Sequence, residues 1–291
     1  MRICSLLPSA TEIVALLGQA DRLVGVSEEC DWPPEVRGLP VVTASRVHSA
    51  ELSSSEIDAA VRGAVGDGRS LYAVDAELLD ELRPDLVITQ DLCSVCAVSS
   101  DDVMRLCDVE TLSLNPRTLD EIAQSVEVVA ERLGVPDRGV AVARAMRETI
   151  AATRARVAGL TRRRIFVAEW LDPPFASGHW VPELVTAAGG EEVLGLAGEA
   201  SFTTTWEAVR AAEPEVIVLA PCGFHARRAA QEASGLDLPA PAFAVDANAY
   251  YSRPSPRVVE GVRQLAHLLH PDAAPDPGLP VVEVGRAVRV G

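Results

Sequence analysis

Short apolar runs alternate along the chain with longer segments of mixed polarity. The runs LVGVS (residues 23–27), LVIT (86–89) and EVIVL (215–219) are continuous and rich in Val, Ile and Leu, which is typical of strands buried on both faces of a parallel sheet. The segments between them carry apolar residues at helical spacing. Because strands and helices alternate, the pattern predicts an α/β fold with mostly parallel sheets and helices on both faces.

The same pattern predicts the individual elements. Strands are expected at residues 3–7, 23–27, 39–43, 86–89, 109–114, 162–169, 215–219 and 243–246. Helices are expected at residues 11–17, 53–65, 75–82, 117–133, 137–158, 182–188, 206–212 and 256–269. Ser9 is the expected N-cap of the first helix, with Glu12 three residues on, and Ser255 is the expected N-cap of the last.

Both halves of the chain show this alternation, and the longest helix lies between them. The 291 residues are enough for two domains of ordinary size. Residues 1–136 and 161–291 are predicted to form two α/β lobes. Residues 137–160, rich in Ala and Arg, are predicted to form a stiff helix that joins them.

The charge of the chain excludes some classes of partner. With 26 basic against 42 acidic residues, the formal net charge is −16, whereas a general nucleic-acid binder needs a basic surface against the phosphates. The same charge argues against adsorption to an anionic membrane. Hydrophobic residues make up 48% and charged residues 23% of the chain, which is ordinary for a globular protein.

The first residues, MRICSLLPSATEIVALLG, are not expected to act as a signal peptide, because Pro8 soon interrupts a short apolar run and no basic region precedes it beyond Arg2. No apolar segment approaches the roughly 20 residues of a membrane span. We therefore expect a cytoplasmic protein without membrane insertion. The alternative is a start site upstream of Met1, which would make the protein an exported component.

Scarce aromatic residues gather where the apolar runs end. Aromatics are only 4% of the chain, yet three of the four tryptophans and two of the three tyrosines fall in segments that follow a predicted strand. In open parallel sheets, ligands bind beyond the carboxyl ends of the strands, and aromatic rings supply large contact areas there. Asp91, Glu169, Trp170 and Tyr251 are candidate ligand-binding residues at these ends.

Cysteines fall at the same strand ends, and Cys93-x-x-Cys96 is the sharpest local motif. Its spacing lets two thiolates converge on one metal ion. Together with Cys30 and Cys222, it would make a four-thiolate site that suits zinc or an iron–sulfur cluster. The alternative is that these cysteines are small apolar side chains packed near loop bases.

A redox-active cysteine pair is disfavoured. Asp91 precedes the motif and Asp101 and Asp102 follow it, and such acidity opposes formation of a thiolate. The two remaining cysteines, Cys4 in the first strand and Cys107 in a segment of helical pattern, are expected in the core.

Two histidines are candidates for axial ligation of a chelated metal. His179 lies in a Gly-containing loop between Phe175 and Trp180, and it is either such a ligand or an ordinary loop histidine. His225 would serve similarly, but its HARR context is typical of a solvent-facing segment.

Catalysis is a weaker interpretation than binding. Glu169 and Asp172 lie three residues apart in an extended or turning segment, so their side chains need not converge as an acid–base pair. The sequence shows no Ser-His-Asp arrangement, phosphate-binding glycine loop or metalloprotease motif.

Several segments together resemble the substrate-binding proteins for metal chelates that serve ABC transporters, a family that includes the cobalamin-binding proteins and binders of siderophores and haem. The matching segments are SLLPSATEI, VGVSEECDWPPEV, LRPDLVITQD, DPPFASGHWVPELVTAAGGEEVLG, WEAVRAAEPEVIVLAPCG and SRPSPRVVEGVRQLA. They cover most of the chain, and their combination and order are specific although no single segment is.

The resemblance implies two Rossmann-like domains joined by one long helix, with a small-molecule metal chelate such as cobalamin held between them by aromatic residues. It implies a transporter as partner. The ligand contacts that it implies are Cys30, Trp32, Phe175, His179, Trp180, Asn248 and Tyr250.

Three features of the chain depart from the cobalamin binders. About 20 residues around 53–75 look inserted, Glu28-Glu29-Cys30 replaces a tyrosine-containing loop, and the Cys93-x-x-Cys96 motif has no counterpart. Two hypotheses follow. The first is a binding protein for a corrinoid or another metal chelate, with a transporter or a cytoplasmic partner. The second is a cytoplasmic metalloprotein or enzyme on the same fold, with zinc or an iron–sulfur cluster.

Overall fold

A computed structural model of the protein describes residues 1–47, 51–66, 70–91 and 109–285. The strands are β1 (Ile3–Ser5), β2 (Leu23–Val26), β3 (Thr43–Ser45), β4 (Tyr72–Val74), β5 (Leu86–Thr89), β6 (Glu110–Ser113), β7 (Arg163–Leu171), β8 (Pro174–Ala176), β9 (Gly190–Glu192), β10 (Phe202–Thr203), β11 (Val216–Leu219), β12 (Ala242–Val245) and β13 (Val281–Val284).

Helices alternate with these strands, as the apolar pattern predicts. The α-helices are α1 (Pro8–Leu16), α2 (Ser54–Gly66), α3 (Ala76–Leu82), α4 (Leu119–Arg132), α5 (Pro136–Arg156), α6 (Val181–Ala187), α7 (Trp206–Ala211), α8 (Ala226–Glu232), α9 (Ala247–Tyr250) and α10 (Val258–Leu269). Short 3₁₀ helices span Ala20–Arg22 and Pro34–Gly38. Within the described ranges, no helix is both long and apolar enough to cross a bilayer.

Contacts divide the chain into two compact units. Unit 1 comprises Met1–Pro116 and Ile122–Arg144, and unit 2 comprises Arg117–Glu121 and Ala145–Gly291. The predicted long helix at residues 137–158 is confirmed as α5, whose residues are shared between the units. The predicted domain limits at residues 136 and 160 stay predictions.

The first sheet, in unit 1, is parallel throughout and has the strand order β2-β1-β5-β6. The side chains of β1 and β5 are completely buried, which is why these strands consist of short continuous apolar runs. The chain leaves β1 toward β2 on one side and returns to β5 on the other. A crevice beyond the carboxyl ends of β1 and β5, where the strand order reverses, is the usual position of a ligand in such sheets.

The second sheet, in unit 2, has the strand order β10-β8-β7-β11-β12-β13, and β9 pairs with β7. Strands β7, β9, β11 and β12 run parallel, whereas β8, β10 and β13 add antiparallel pairs. The predicted fold class, α/β with mostly parallel sheets and a long helix, is therefore confirmed, with antiparallel strands at the edges of the second sheet.

The predicted caps of the first and last helices are wrong. Helix α1 begins at Pro8 with Leu7 as N-cap, so Ser9 lies buried inside the helix. A proline is favoured at the first helical position because its missing N–H costs no hydrogen bond there. Helix α10 begins after Arg257, and Ser255 lies in the preceding turn, where its hydroxyl accepts a hydrogen bond from the Arg257 N–H.

The region around residues 53–75, which looks inserted, contributes its own small structure. Strands β3 and β4 form a separate antiparallel pair, and α2 lies between them in the chain. Ser53 and Glu56 bond to each other's backbone N–H groups and cap α2. The strand predicted at residues 39–43 is wrong in its bounds, because only Val41 bridges to Val26 there and β3 begins at Thr43.

Candidate functional site

Cys30 lies in a buried network of hydroxyl groups near the carboxyl ends of β1 and β2. Its Sγ is 3.1 Å from the Thr11 Oγ1, which donates to the Ser5 Oγ at 2.8 Å. The Thr43 hydroxyl donates to Ser27 Oγ at 3.1 Å in the same region. Cys30 is only 6% exposed. Its thiol therefore packs at the base of the loop rather than on the surface.

Trp32 and Asp91 are the other sequence-predicted residues of unit 1. Trp32 is half-buried in the segment that follows Cys30. Asp91 is exposed directly after β5, where its carboxylate accepts a hydrogen bond from the Ser113 hydroxyl and its N–H donates to Asn115 Oδ1 at 2.6 Å. Because β5 and β6 are parallel neighbours, their carboxyl ends present this polar group at one edge of the sheet.

The predicted loop after the first strand of unit 2 is wrong in part, because that strand continues. Strand β7 extends to Leu171 and turns at Asp172 and Pro173 into β8. Glu169, Trp170 and Phe175 therefore lie on strands, not on a loop. A two-residue connection is enough for an antiparallel turn, and the aromatic residues on either side of it pair as strand residues usually do.

Hydrogen bonds join strand β7 to the segments that follow β8 and β11, and join the segment after β11 to the segment after β12. The Cys222 N–H donates to the Glu169 carbonyl at 3.0 Å, and the Asn248 N–H donates to the Phe224 carbonyl at 3.2 Å. The Glu169 carboxylate accepts the Gly178 N–H at 3.0 Å. Unit 2 therefore brings Glu169, Cys222 and Asn248 to one edge of its sheet, as the strand order predicts.

An aromatic cluster (Trp170, Phe175 and Phe224) occupies this edge. Trp170 and Phe175 are register partners across β7 and β8, so their side chains share one face of the sheet. The Trp170 and Phe224 rings meet edge to face, with centroids 5.3 Å apart. The Arg228 guanidinium covers the Phe224 ring at 3.8 Å. Phe224 is buried, whereas Trp170 and Phe175 keep part of their surface accessible.

A histidine and an aspartate form a pair beside this cluster. The His225 Nδ1 lies 3.0 Å from the Asp246 Oδ2, and the other oxygen of Asp246 accepts the Ala249 N–H. Because an ionised carboxylate only accepts hydrogen bonds, a neutral imidazole in this pair would donate from Nδ1 and keep the free lone pair on Nε2. His225 is 62% exposed and Asp246 only 13%. The solvent-facing character expected for the HARR segment is thus compatible with a fixed ring orientation.

Tyr250 follows Asn248 at the end of β12 and is half-buried. The Arg257 guanidinium lies 5.0 Å from the centroid of its ring. This distance is within the range of cation–π contacts, which favour a defined orientation of both side chains. Tyr250 therefore presents a partly accessible ring near the carboxyl end of β12.

His179 is held in an unusual backbone conformation by a second loop. Its φ is +48°, its N–H donates to the Glu199 carbonyl at 2.6 Å, and its carbonyl accepts the Gly198 N–H at 2.8 Å. Burial, and to a smaller extent the positive charge of Arg117, lowers the pKa of His179. The imidazole is therefore neutral at neutral pH, which is the form that can ligate a metal.

Trp180 and Tyr251 lie in the core of unit 2. Trp180 is 5% exposed and its Nε1–H donates to the Tyr251 carbonyl at 2.8 Å. Tyr251 is 1% exposed, its hydroxyl donates to the Gln264 Oε1, and burial raises the pKa of its phenol. With so little accessible surface, these two side chains offer a ligand almost no contact area.

The predicted cysteine-ligated metal site stays a prediction. Cys93 and Cys96, like Cys107, lie outside the described residues. Cys30 is a buried thiol of unit 1 and Cys222 an exposed thiol of unit 2. Within the described part of the chain, no group of three or more His, Cys, Asp or Glu side chains is arranged to hold a metal ion. Cys4 lies in the core of unit 1, as expected.

Phe224 and Asp246 of this edge were not among the residues that the sequence pointed to, whereas His225 was a candidate axial ligand. Phe224 and His225 follow β11, and Asp246 follows β12, so the rule that directs attention to strand ends does reach them. Their specific signal is tertiary, because the histidine and the aspartate are 21 residues apart and meet only when β11 and β12 pair.

Known binding proteins are similar to this chain in sequence. A family model described as periplasmic binding protein matches residues 3–237. The vitamin B12-binding protein of Vibrio cholerae is 26% identical over 278 residues, covering 92% of this chain and 88% of the relative. An uncharacterized ABC transporter substrate-binding lipoprotein, YvrC of Bacillus subtilis, is 24% identical over 289 residues, covering 93% of this chain and 80% of the relative.

Solved structures show the same fold. The periplasmic heme-binding protein RhuT of Roseiflexus sp. RS-1 in its apo form superimposes with a TM-score of 0.69 at 23% identity, covering 94% of this chain and 98% of that protein. At this identity, the likeness establishes the architecture of the chain but not the chemistry of its site.

Proposed function

The chain belongs to the periplasmic binding protein family, and on that premise we propose that it binds a macrocyclic metal chelate of the corrinoid or haem class. A curated relative that matches 92% of this chain is named for vitamin B12, and a structural neighbour is named for heme. Both ligands are large flat rings around a metal ion, and a site for either needs apolar contact area and a few orienting polar groups.

The observation that carries the proposal is the aromatic cluster at the carboxyl edge of the second sheet. Trp170 and Phe175 offer accessible ring surface on one face, and Phe224 holds Trp170 from the side. Because Phe224 is itself fixed by Arg228, the rings are ordered before a ligand arrives. Pre-ordered side chains lose little conformational entropy on binding, so the contact area contributes efficiently to affinity.

The pair of His225 and Asp246 supplies the orienting polar group in this proposal. A carboxylate behind an imidazole fixes the tautomer and raises the basicity of the free nitrogen, which is how histidines that ligate metals are commonly arranged. The Nε2 of His225 would then bind the axial position of the chelated metal. His179 is the second candidate for this role, because it is neutral at neutral pH.

Titration of the purified protein tests the proposal directly. Aquocobalamin, cyanocobalamin and haemin are added separately, and binding is followed by absorption and by calorimetry. We expect saturable binding of at least one of them with a stoichiometry of one. Metal-free protoporphyrin separates ring stacking from metal ligation. Calorimetric traces without heat and spectra without change for all the chelates would overturn the proposal.

Replacing His225 by alanine is expected to abolish the spectral change that accompanies axial ligation, and to weaken binding of a chelate with an exchangeable axial site about tenfold, because one metal–nitrogen bond is lost. His267→Ala is the matched control. His267 lies in the last turn of α10, and its Nδ1 contacts the Ala274 carbonyl rather than a residue of the proposed site. If H225A keeps the spectrum of the wild-type complex, another group ligates the metal.

The alternative, a cysteine-ligated zinc or iron–sulfur site, makes an opposite prediction for the protein as purified. Anaerobic purification followed by elemental analysis would then find close to one zinc ion or one cluster per chain, and Cys93→Ser would remove it. Under our proposal, the metal content without added chelate is well below one per chain and C93S leaves it unchanged.

We further propose an ABC transporter as partner, because a relative that covers 93% of this chain is named as a substrate-binding lipoprotein of such a transporter. A cytoplasmic location stays a prediction. Fractionation of cells that express the full gene, with an antibody against this protein, would test both the compartment and any membrane association.

A further inference from the structure

Glu192, at the end of β9, is bonded to three backbone N–H groups. Its Oε2 accepts the Val167 N–H at 3.1 Å, and its Oε1 accepts the N–H groups of Leu194 and Gly195 at 3.3 and 3.2 Å. Val167 lies on β7 just beyond the part of that strand that pairs with β9. The carboxylate therefore satisfies a strand N–H group that β9 no longer reaches, and it closes the turn at residues 193–195.

This turn begins a loop, residues 193–201, that holds the segment bearing His179. The Leu196 N–H donates to the Ser177 carbonyl at 3.0 Å, and two more bonds join the backbone of His179 to Gly198 and Glu199. A Cβ atom on Gly178 would lie only 2.3 Å from the Ser201 nitrogen, so the two segments are in direct backbone contact. The conformation of His179 thus depends on where the 193–201 loop is anchored.

Ser177 lies beneath the same anchor. Its hydroxyl adjoins the Glu192 carboxylate, and a Cβ on Gly195 would lie 2.2 Å from the Ser177 Oγ. Among the described side chains, this buried Oγ is one of two polar atoms with no hydrogen bond of good geometry. A buried hydroxyl without a partner is costly. The Ser177 hydroxyl can donate to the ionised Glu192 carboxylate, and this interaction lowers the pKa of Glu192.

We propose that Glu192 is a positioning residue for the ligand site: through the 193–201 loop its carboxylate holds the backbone of residues 177–179, and uptake of a proton weakens this hold. The proposal rests on the proposed function only in the assumption that His179 lies beside the ligand. The anchoring of the 193–201 loop by Glu192, and the contact of Glu192 with Ser177, do not depend on which ligand is bound.

Near neutral pH, the protonated and ionised forms of Glu192 are both populated. Burial raises the pKa of this carboxyl to about 7, and the N–H groups of Gly195, Leu194 and Val167 oppose that rise, as does the Ser177 hydroxyl. Charged groups on the packed elements are engaged elsewhere: Arg163 with Glu215, Arg164 with Glu191, Glu183 with the Leu119 N–H and Glu169 with the Gly178 N–H. His179 and Glu199 are the remaining ionisable groups of the loop pair, and the lowered pKa of His179 keeps its ring neutral over this range.

The expected consequence is a tightening of the loop as pH rises through about 7. Below that value the neutral carboxyl makes weaker bonds to the three N–H groups, since bonds to charged acceptors are roughly twice as strong as neutral ones. Above it the ionised carboxylate holds the loop. The free energy of folding changes with pH in the opposite direction. A carboxyl whose pKa is raised in the folded state binds its proton more tightly there than in the unfolded chain. Its contribution to folding is therefore greatest below about pH 4.5 and is lost as the pH rises to 7.

The test compares amide protection in the wild type, Glu192→Gln and Glu191→Gln without any ligand. Hydrogen exchange of Leu194, Gly195 and Gly198 is measured by NMR between pH 6 and 8 and corrected for the intrinsic rate. We expect protection in the wild type to rise about tenfold across this range. E192Q should show low, pH-independent protection. E191Q should behave as the wild type, because Glu191 pairs with Arg164 on the surface.

A second measurement keeps the proposal testable if E192Q fails to fold. The side-chain carboxyl carbon of Glu192 in the wild type, observed with labelled glutamate, should titrate with a midpoint near 7. A midpoint below 5, or wild-type protection that does not vary with pH, would overturn the proposal. Binding of the chelates at pH 6 and 8 then tests the link to function. A protein that shows the loop response but binds no chelate contradicts the proposed function and leaves Glu192 as the anchor of the loop.

Discussion

Replacing Trp180 by alanine is expected to lower the free energy of unfolding by about 3–5 kcal/mol, the largest stability effect that we predict for a single side chain here. The indole is almost completely buried at the start of α6, and its Nε1–H donates to the Tyr251 carbonyl. Truncation removes buried apolar surface, leaves a cavity in a well-packed interior, and deprives a buried carbonyl of its donor.

Trp180→Phe separates these contributions. It keeps most of the apolar volume and removes the hydrogen bond, so it should cost only about 1–3 kcal/mol. Urea unfolding followed by far-ultraviolet circular dichroism measures both variants without relying on the fluorescence of the residue that is changed. A loss below 1 kcal/mol for W180A would show that Trp180 is accessible in solution, and Trp180 would then return to the set of ligand contacts.

Replacing Trp170 by alanine is expected to weaken chelate binding by about ten- to a hundredfold, which corresponds to about 1.4–2.7 kcal/mol. Trp170 presents accessible ring surface on the same face as Phe175 and contacts Phe224 at its edge. Its loss removes a large flat contact and frees Phe224 from one of its neighbours. Aromatic anchors of this kind commonly dominate the affinity of a binding surface.

Trp206→Ala is the matched control for this variant. Trp206 begins α7 and meets the Phe166 ring edge to face, 6.1 Å between centroids, on a different part of unit 2. W206A should therefore reduce stability but leave the affinity of the folded protein unchanged. Calorimetric titration of both variants, at a temperature where each is folded, decides the matter. Equal affinities for W170A and the wild type would contradict a role for the aromatic cluster in binding.

Much of the fold could be predicted from the sequence because buried parallel strands carry a strong local signal. The runs that became β5 and β11 are continuous, apolar and bounded by polar residues, and no other element of a globular protein fits them as well. The errors fall where the local signal is weak. Ser9 and Ser255 are good caps in isolation, but a proline at the first position of α1 and the turn before α10 decide where those helices begin.

The site could be predicted in position but not in composition. The rule that ligands lie beyond the carboxyl ends of strands pointed to the segments after β7, β11 and β12. It could not tell Trp170, which keeps an accessible surface, from Trp180, which packs inside, because both follow the same apolar run. Burial depends on which elements cover a side chain, and that is a property of the whole packed unit.

The sequence by itself therefore determined the α/β class, the alternation of elements and the edge of the sheet at which chemistry gathers, since periodicity and apolar runs are local properties. Only the tertiary structure decided that His225 meets Asp246 and that Trp170 and Phe175 share a face with Phe224 beside them. It also showed that Glu192 anchors the loop around His179. These contacts join residues that are distant in the chain, and the pairing of strands and the packing of loops against them create each one.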